Sequence, residues 1–324
     1  MYAAGIDGGG TRTRAVLVAP DGRIRARGTA GCGNFQSIGA SGLEDVVGGL
    51  LGTLWAGGPA QPLSLCLALA GVGREDDREE VAALARRCGW AQELCVVSDA
   101  RAALEGAHAA GAGLVVVAGT GSIVLGKGPG GEEARAGGWG PVLGDEGSGY
   151  ALAAEALRAA LRAHDGWGPP TALEEVLRGW LGLQTWEEAV RRVYGGDLGR
   201  DRIAALAPAV LETARRGDAV AAALVWRAGH ALGQQVAAVA RRLGLERGAD
   251  LAGAGGLLEA ADLWPSLEEA ARQAGVQVRR RASLLPPVLG AVLMAWQATG
   301  RPVDRQLVQG LAADLPAGAQ GTAT

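Results

Sequence analysis

The stretch GIDGGGTRTRAVLV, residues 5–18, joins two apolar runs through an aspartate, three glycines and two threonines. Tyr2 to Asp7 reads as a strand and Ala15 to Ala19 as another, so the glycines form the turn of a hairpin. Asp21-Gly22 then turns the chain into a third strand, Arg23 to Gly28. A turn needing only positive φ is served by one or two glycines. Three in a row also remove side chains, so that a phosphate can reach the backbone amides. Thr11 and Thr13 add hydroxyl donors, and Asp7 at the strand end is placed to hold a hydrated metal ion. Taken singly, the same residues make a polar hairpin turn and nothing more.

The pattern restarts further along. Gly113 to Ala118 is a strand, Gly119-Thr120-Gly121-Ser122 a turn, Ile123 to Gly126 a strand, and Glu133 to Gly137 a third. This is the sign of a structural duplication. Gly8, Gly9 and Gly10 with Thr11 and Thr13 are matched by Gly119, Thr120, Gly121 and Ser122. Two such turns facing each other make a clamp for the phosphates of one nucleotide. A third cluster, Gly253, Gly255 and Gly256, lies between a short strand, Asp250 to Ala252, and a helix, where an adenine or ribose can approach the backbone.

Between these landmarks, residues 41–56 and Glu75 to Cys88 read as helices, and LSLCLALA, Leu63 to Ala70, as a strand buried on both faces. Glu93 to Val97 is a strand and Ala100 to Ala110 a helix. Residues 148–243 are mainly helical, and Val276 to Arg279 is the last strand. Strands alternating with helices give an α/β fold with a mixed sheet covered on both faces. The helix beyond Pro287 is apolar all round and is expected between domains; the tail Pro316 to Thr324 is expected to be disordered.

The chain has 324 residues, 48% of them hydrophobic, which is enough for two domains. Its net charge of −3 makes nucleic acid a poor partner. Lys127 is the only lysine. No G-x-x-x-x-G-K-[ST] is present, because Lys127 is followed by Gly128-Pro129, and DGGGTRT opens a strand where the dinucleotide fingerprint opens a helix. Backbone amides, a metal ion and threonine hydroxyls are left to grip phosphate. Cys32, Cys66, Cys88 and Cys95 lack zinc or disulfide spacing, consistent with a reduced cytoplasm. The start carries no signal-peptide pattern, and Leu284 to Ala298 is too short to span a bilayer, so no membrane is expected. His108, His164 and His230 have no ligand spacing.

DGGGTRT (7–13), GCGNF (31–35), VVSDA (96–100), AGTGS (118–122), GGWGPVLGDEGSGY (137–150) and AGAGG (252–256) together resemble the actin-like ATPase and sugar-kinase superfamily. Within it they are similar to the N-acetylglucosamine kinase branch of the BadF/BcrA-type ATPases. The segments run in family order over nearly the whole chain, and GGWGPVLGDEGS is the most specific. The resemblance implies two actin-like (ribonuclease H-like) domains, each a mixed central sheet flanked by helices, with the active-site cleft between them. Residues 1–110 plus about 287–315 are assigned to the first and 111–286 to the second. It further implies transfer of phosphate from ATP, with Mg2+, to the 6-hydroxyl of a small-molecule sugar, and a homodimer.

By the same resemblance Asp99 is the general base, where a carboxylate can orient an alcohol and accept its proton. Read alone, Asp99 is an N-cap of the helix that follows it. Asn34 becomes a sugar ligand, its amide able to donate and accept, where on its own it reads as a turn former. Gly138, Trp139 and Asp145 match the substrate segment, with Trp139 otherwise a core residue; Glu146 serves the site or a helix N-terminus, and Ser148 caps a helix. The resemblance favours N-acetylglucosamine, with glucosamine kinase and a broad hexokinase as alternatives. A dehydratase-activating ATPase and a sugar-sensing module without turnover are further readings. The first needs cysteines after the second turn, and the second has no use for Asp99.

Overall fold

In the computed structural model the described residues are 1–55 and 63–315. The expected end of the first helix at residue 56, and the expected disorder of 316–324, lie outside them. The chain divides into two compact units, Met1–Val115 with the segment from Arg281 onward, and Val116–Arg280. Sequence reading put the second junction at residues 286 and 287. Here the segment before the late apolar helix is tied to the first unit, because the Leu284 and Leu285 amides donate to the Ala107 and Gly106 carbonyls at 3.2 and 3.0 Å.

The first unit is built on β1 (Tyr2–Gly8), β2 (Thr13–Val18), β3 (Ile24–Ala30), α1 (Phe35–Leu54), β4 (Leu63–Leu69), α2 (Glu75–Arg87), β5 (Glu93–Ser98) and α3 (Asp99–His108). Its sheet runs β3-β2-β1-β4-β5. β1 pairs antiparallel with β2 and parallel with β4, and β4 pairs parallel with β5. Every residue of β4 is buried, as its unbroken apolar run requires of a central strand. α1 starts earlier than its apolar periodicity suggests, at the Asn34 cap, and is kinked at Gly39 (φ 64°, ψ −175°).

The second unit holds β6 (Gly113–Ala118), whose first residues lie on the other side of the division, then β7 (Ser122–Lys127), β8 (Glu133–Gly137), α4 (Gly149–His164), α5 (Leu173–Leu181), α6 (Trp186–Tyr194), α7 (Arg200–Ala204), α8 (Ala207–Arg215) and α9 (Ala219–Arg242). β9 (Ala249–Ala254), α10 (Gly256–Glu259), α11 (Trp264–Gln273) and β10 (Val278–Arg280) complete it. The order β8-β7-β6-β9-β10 repeats the order of the first sheet, so the duplication read from the turns extends to the whole strand plan. The α/β class, with two mixed five-stranded sheets flanked by helices, is as expected.

The chain then returns to the first unit with α12 (Pro287–Ala298) and α13 (Arg305–Ala313). α12 is buried within the first unit, where Leu289, Val292 and Leu293 join Ala3, Cys66, Ala68 and Ala102 in one core. The opposite face of the sheet packs Ile6, Leu65 and Leu67 against Leu43, Val47 and Leu84 of α1 and α2. A Cβ on Gly5 would stand 2.5 Å from both the Val288 carbonyl and the Val292 amide, so β1 meets α12 backbone to backbone. The helix that carries Asp99 and the strand that carries Asp7 are therefore both pinned by α12.

Candidate active site

Asp7 and Asp99 close β1 and the β5–α3 junction, with β4 between the two strands. The register aligns Asp7 with Ala68 and Ala68 with Val97, two residues before Asp99, which places both aspartates at the C-terminal end of the parallel strands of the first sheet. Burial, then the Asp99 charge, pushes the Asp7 carboxyl up to about 7, against the Arg14 charge, which pulls it down. Arg14 is the cross-strand partner of Asp7 and is exposed. Burial raises the Asp99 carboxyl too, opposed by the Ala100 amide, which donates to its Oδ1 at 2.8 Å. Asp99 is not the cap of α3: Ser98 is, its hydroxyl accepting from the Arg101 amide at 3.3 Å. The capping duty is therefore met by a neighbour, and Asp99 stands as the first helical residue.

The first turn is closed by the Gly9 amide donating to Arg12 O at 3.0 Å, and the loop before α1 is tied to it by Gly33 N to Gly9 O at 2.9 Å. None of Gly8, Gly9 and Gly10 has positive φ, nor do Gly119 and Gly121, so turn geometry is not what demands them. Close approach is. A Cβ on Gly8 would meet the Gly33 carbonyl at 3.1 Å, and one on Gly33 would meet Gly8 Cα at 2.8 Å. At Gly10 a Cβ would meet nothing within 4 Å, and the residue is exposed with Thr11. Packing of the chain accounts for Gly8 and leaves Gly10 open to a ligand. Thr13 departs from its expected role as a donor to phosphate: it is fully buried and its hydroxyl donates to Gly31 O at 2.8 Å. Asn34 caps α1, Oδ1 accepting from the Gln36 amide at 3.0 Å, and Nδ2 has no partner among the described residues.

The second turn is closed by Gly119 N to Gly121 O at 2.9 Å and docked on α4, whose Gly149 and Tyr150 amides donate to the Gly119 and Thr120 carbonyls. Gly119, like Gly10, has open space where a Cβ would stand. Ser122, expected to be a donor to phosphate, is buried and donates to Glu146 O at 2.8 Å. Of the third cluster, Gly253 makes room for the Trp264 ring at 2.5 Å. Gly255 (φ 94°) lies against the Ala118 carbonyl, which brings the end of β9 to the end of β6. Gly256 faces open space.

Between β8 and α4 runs the segment of Gly138, Trp139 and Asp145. Positive φ recurs at Gly137, Gly138, Gly140 and Gly147, and at one residue with a side chain, Asp145 (φ 61°). Trp139 is no core residue: it is 63% exposed, with the Arg135 guanidinium 4.6 Å above its ring. Asp145 is buried and its neighbour Glu146 exposed. The Asp145 oxygens accept from Gly140 N at 3.2 Å and from Arg200 Nη2 at 2.6 Å. Ser148 caps α4 through the Ala151 amide. Arg14 and Arg200 are absent from the sequence reading. Arg14 was legible from hairpin register opposite Asp7; Arg200, 55 residues from its partner, carries no local signal.

The family model for BadF/BadG/BcrA/BcrD ATPases matches residues 4–295. The chain belongs to this ATPase family. Among its relatives is an N-acetylmuramic acid/N-acetylglucosamine kinase of Clostridium acetobutylicum, 32% identical over 76% of this chain and 81% of the relative. An N-acetyl-D-glucosamine kinase of Dictyostelium discoideum is 34% identical over 75% and 80%. A crystal structure from Chromobacterium violaceum, assigned as an N-acetylglucosamine kinase, superposes with a TM-score of 0.73 at 31% identity, over 91% of this chain and 98% of that one. The residues matched by the family model include all three glycine clusters and the segment of Gly138, Trp139 and Asp145. Among the described residues no helix is long and apolar enough to cross a membrane.

Proposed function

We propose that this chain is an ATP-dependent sugar kinase that moves the γ-phosphate of ATP to the 6-hydroxyl of N-acetylglucosamine. The observation that carries the reading is the aspartate pair at one end of the parallel strands, Asp7 beside an open glycine turn and Asp99 freed from capping by Ser98. Family membership and the names of the relatives support the reaction class.

In this reading Asp99 accepts the proton of the attacking hydroxyl. Burial keeps its carboxyl basic enough for the task, and the α3 junction holds it in place. Asp7 supplies negative charge at the metal side. Mg2+ keeps most of its waters and takes one or two carboxylates with substrate phosphates. Two mutually repelling carboxylates, with exposed Arg14 as the nearby counter-charge, fit that need. Bound there, the ion supplies charge to the phosphoryl oxygens. Gly9, Gly10 and Thr11 in one turn, Gly119, Thr120 and Gly121 in the other, and Gly255 and Gly256 present backbone to the nucleotide. The Asn34 amide, Gly138, Trp139 and the Asp145 carboxylate meet the sugar. The enzyme works in the cytoplasm as a homodimer.

The test is a coupled ADP-release assay across N-acetylglucosamine, N-acetylmuramic acid, glucosamine, glucose and N-acetylmannosamine. N-acetylglucosamine giving the highest kcat/KM supports the proposal. Turnover that no sugar accelerates overturns it, and preference for another sugar overturns the substrate.

A further inference from the structure

One of the two hydroxyls of the second turn is committed, because Ser122 donates to the Glu146 carbonyl. The turn is also met by a side chain from a distant helix. Arg200, the first residue of α7, lies over Gly121: a Cβ there would be 2.6 Å from Arg200 Nη2 and 2.9 Å from Asp145 Oδ2. The turn gives up a side chain to make room for this ion pair. Asp145 is 3% exposed and holds the guanidinium at 2.6 Å while its other oxygen accepts from Gly140 N. It does so from a left-handed backbone, a conformation that costs a residue with a side chain free energy and persists when its surroundings impose it.

One guanidinium nitrogen is thereby spent. The arginine side chain is 40% exposed, and its Nε and Nη1 have no partner among the described residues. The amides of Thr120 and Gly121, just beneath it, likewise have none. A planar fork fixed at one corner, part-exposed and close to backbone amides without partners, suits a phosphate, whose oxygens accept paired N–H donors. Fixing the fork in advance also removes much of the side-chain ordering cost on binding.

We propose that Arg200, oriented by Asp145, contacts the nucleotide phosphates at the second turn. The turn that offers no lysine takes its cation from α7. This inference rests on the nucleotide reading above, but not on the choice of sugar. A tether holding Asp145 in place would produce the same ion pair, so the test must separate the two roles.

The experiment measures ADP binding with Mg2+ by calorimetry, and adenosine binding by ligand-observed NMR, on the full chain and its Arg200→Gln and Arg200→Lys variants. Arg200→Gln is expected to weaken ADP by about ten- to a hundredfold, the range for a lost charge-assisted contact. Adenosine affinity is expected to stay within about twofold, since only the phosphate contact is lost. Arg200→Lys, keeping charge without the fork, is expected in between. ADP affinity unchanged in Arg200→Gln overturns the proposal, as does equal weakening of ADP and adenosine, the mark of a collapsed turn. Should Arg200→Gln not fold, Arg200→Lys decides alone, and wild-type ADP affinity there overturns it. No ADP binding by the unaltered chain overturns the nucleotide reading and this inference together. ADP binding with no sugar turnover leaves this proposal standing and removes only the kinase reading.

Discussion

Asp99 carries the chemistry proposed here, and its surroundings make it separable from the fold. Ser98 caps α3, so Asp99→Asn removes a base without uncapping the helix. We expect kcat to fall by about a hundred- to ten-thousandfold, the range for loss of general-base catalysis, with ADP affinity held within about twofold by calorimetry. Wild-type turnover in that variant contradicts the assignment. Asp7 has a pH signature. Its carboxyl is raised to about 7, so the apo folded chain keeps a proton that the unfolded chain releases at ordinary carboxylate pH. This group's contribution to apo stability is therefore present at acid pH and declines as pH rises to about 7. A cation at Asp7 reverses the decline, because it favours the ionised form. Scanning calorimetry is expected to show Mg2+ raising Tm at about pH 8 and leaving it unchanged at about pH 5.5. Equal shifts at both values count against Asp7 as the metal-side residue. At this scale the sequence exposes residue types and hides their commitments. Thr13 and Ser122 looked like phosphate donors until the Gly31 and Glu146 carbonyls claimed their hydroxyls.

At the scale of elements, the two hairpin turns sort their glycines into those the chain itself requires and those it does not. Gly8 belongs to the first kind, as does Gly33 of the loop tied to the first turn, with Thr13 Oγ1 and Gly8 Cα where the Gly33 side chain would go. Gly33→Ala should cost about 1–3 kcal/mol by overpacking, read as a lower denaturant midpoint. Gly10 and Gly119 belong to the second kind. Gly10→Val and Gly119→Val are expected to leave the midpoint within about 0.5 kcal/mol of wild type, as at open surface sites. Each should still raise KM for ATP by about tenfold, through lost approach of phosphate to backbone. Stability loss without a change in KM contradicts their role. The strands around these turns were legible because apolar runs of strand length are bounded by glycine, and the all-buried β4 announced itself as a central strand. The first turn of α1 was missed because Gly39 breaks its periodicity directly after it forms. An all-apolar helix such as α12 reports burial but not its partners, which within the first unit are β1, β4 and α3.

For the whole molecule, the repeat of one strand order in two sheets is the architecture the paired turns foretold. The return of the chain to the first unit was read as starting at about residue 287, where the division falls at Arg281. What the sequence did not disclose is the reach of Arg200 to Asp145, a contact between segments far apart in the chain that leaves no local periodicity to read. Substrate choice is a property at this scale too, since side chains from several elements must meet one sugar. The named relatives share N-acetylglucosamine in their names and differ over N-acetylmuramic acid. The central claim, phosphate transfer to the sugar 6-hydroxyl, is tested most directly by phosphorus–proton correlation NMR of a reaction containing the protein, ATP, Mg2+ and N-acetylglucosamine. A new phosphomonoester coupled to the two protons on sugar carbon 6 is the predicted result. Orthophosphate alone, or a phosphate coupled to the anomeric proton, would contradict it.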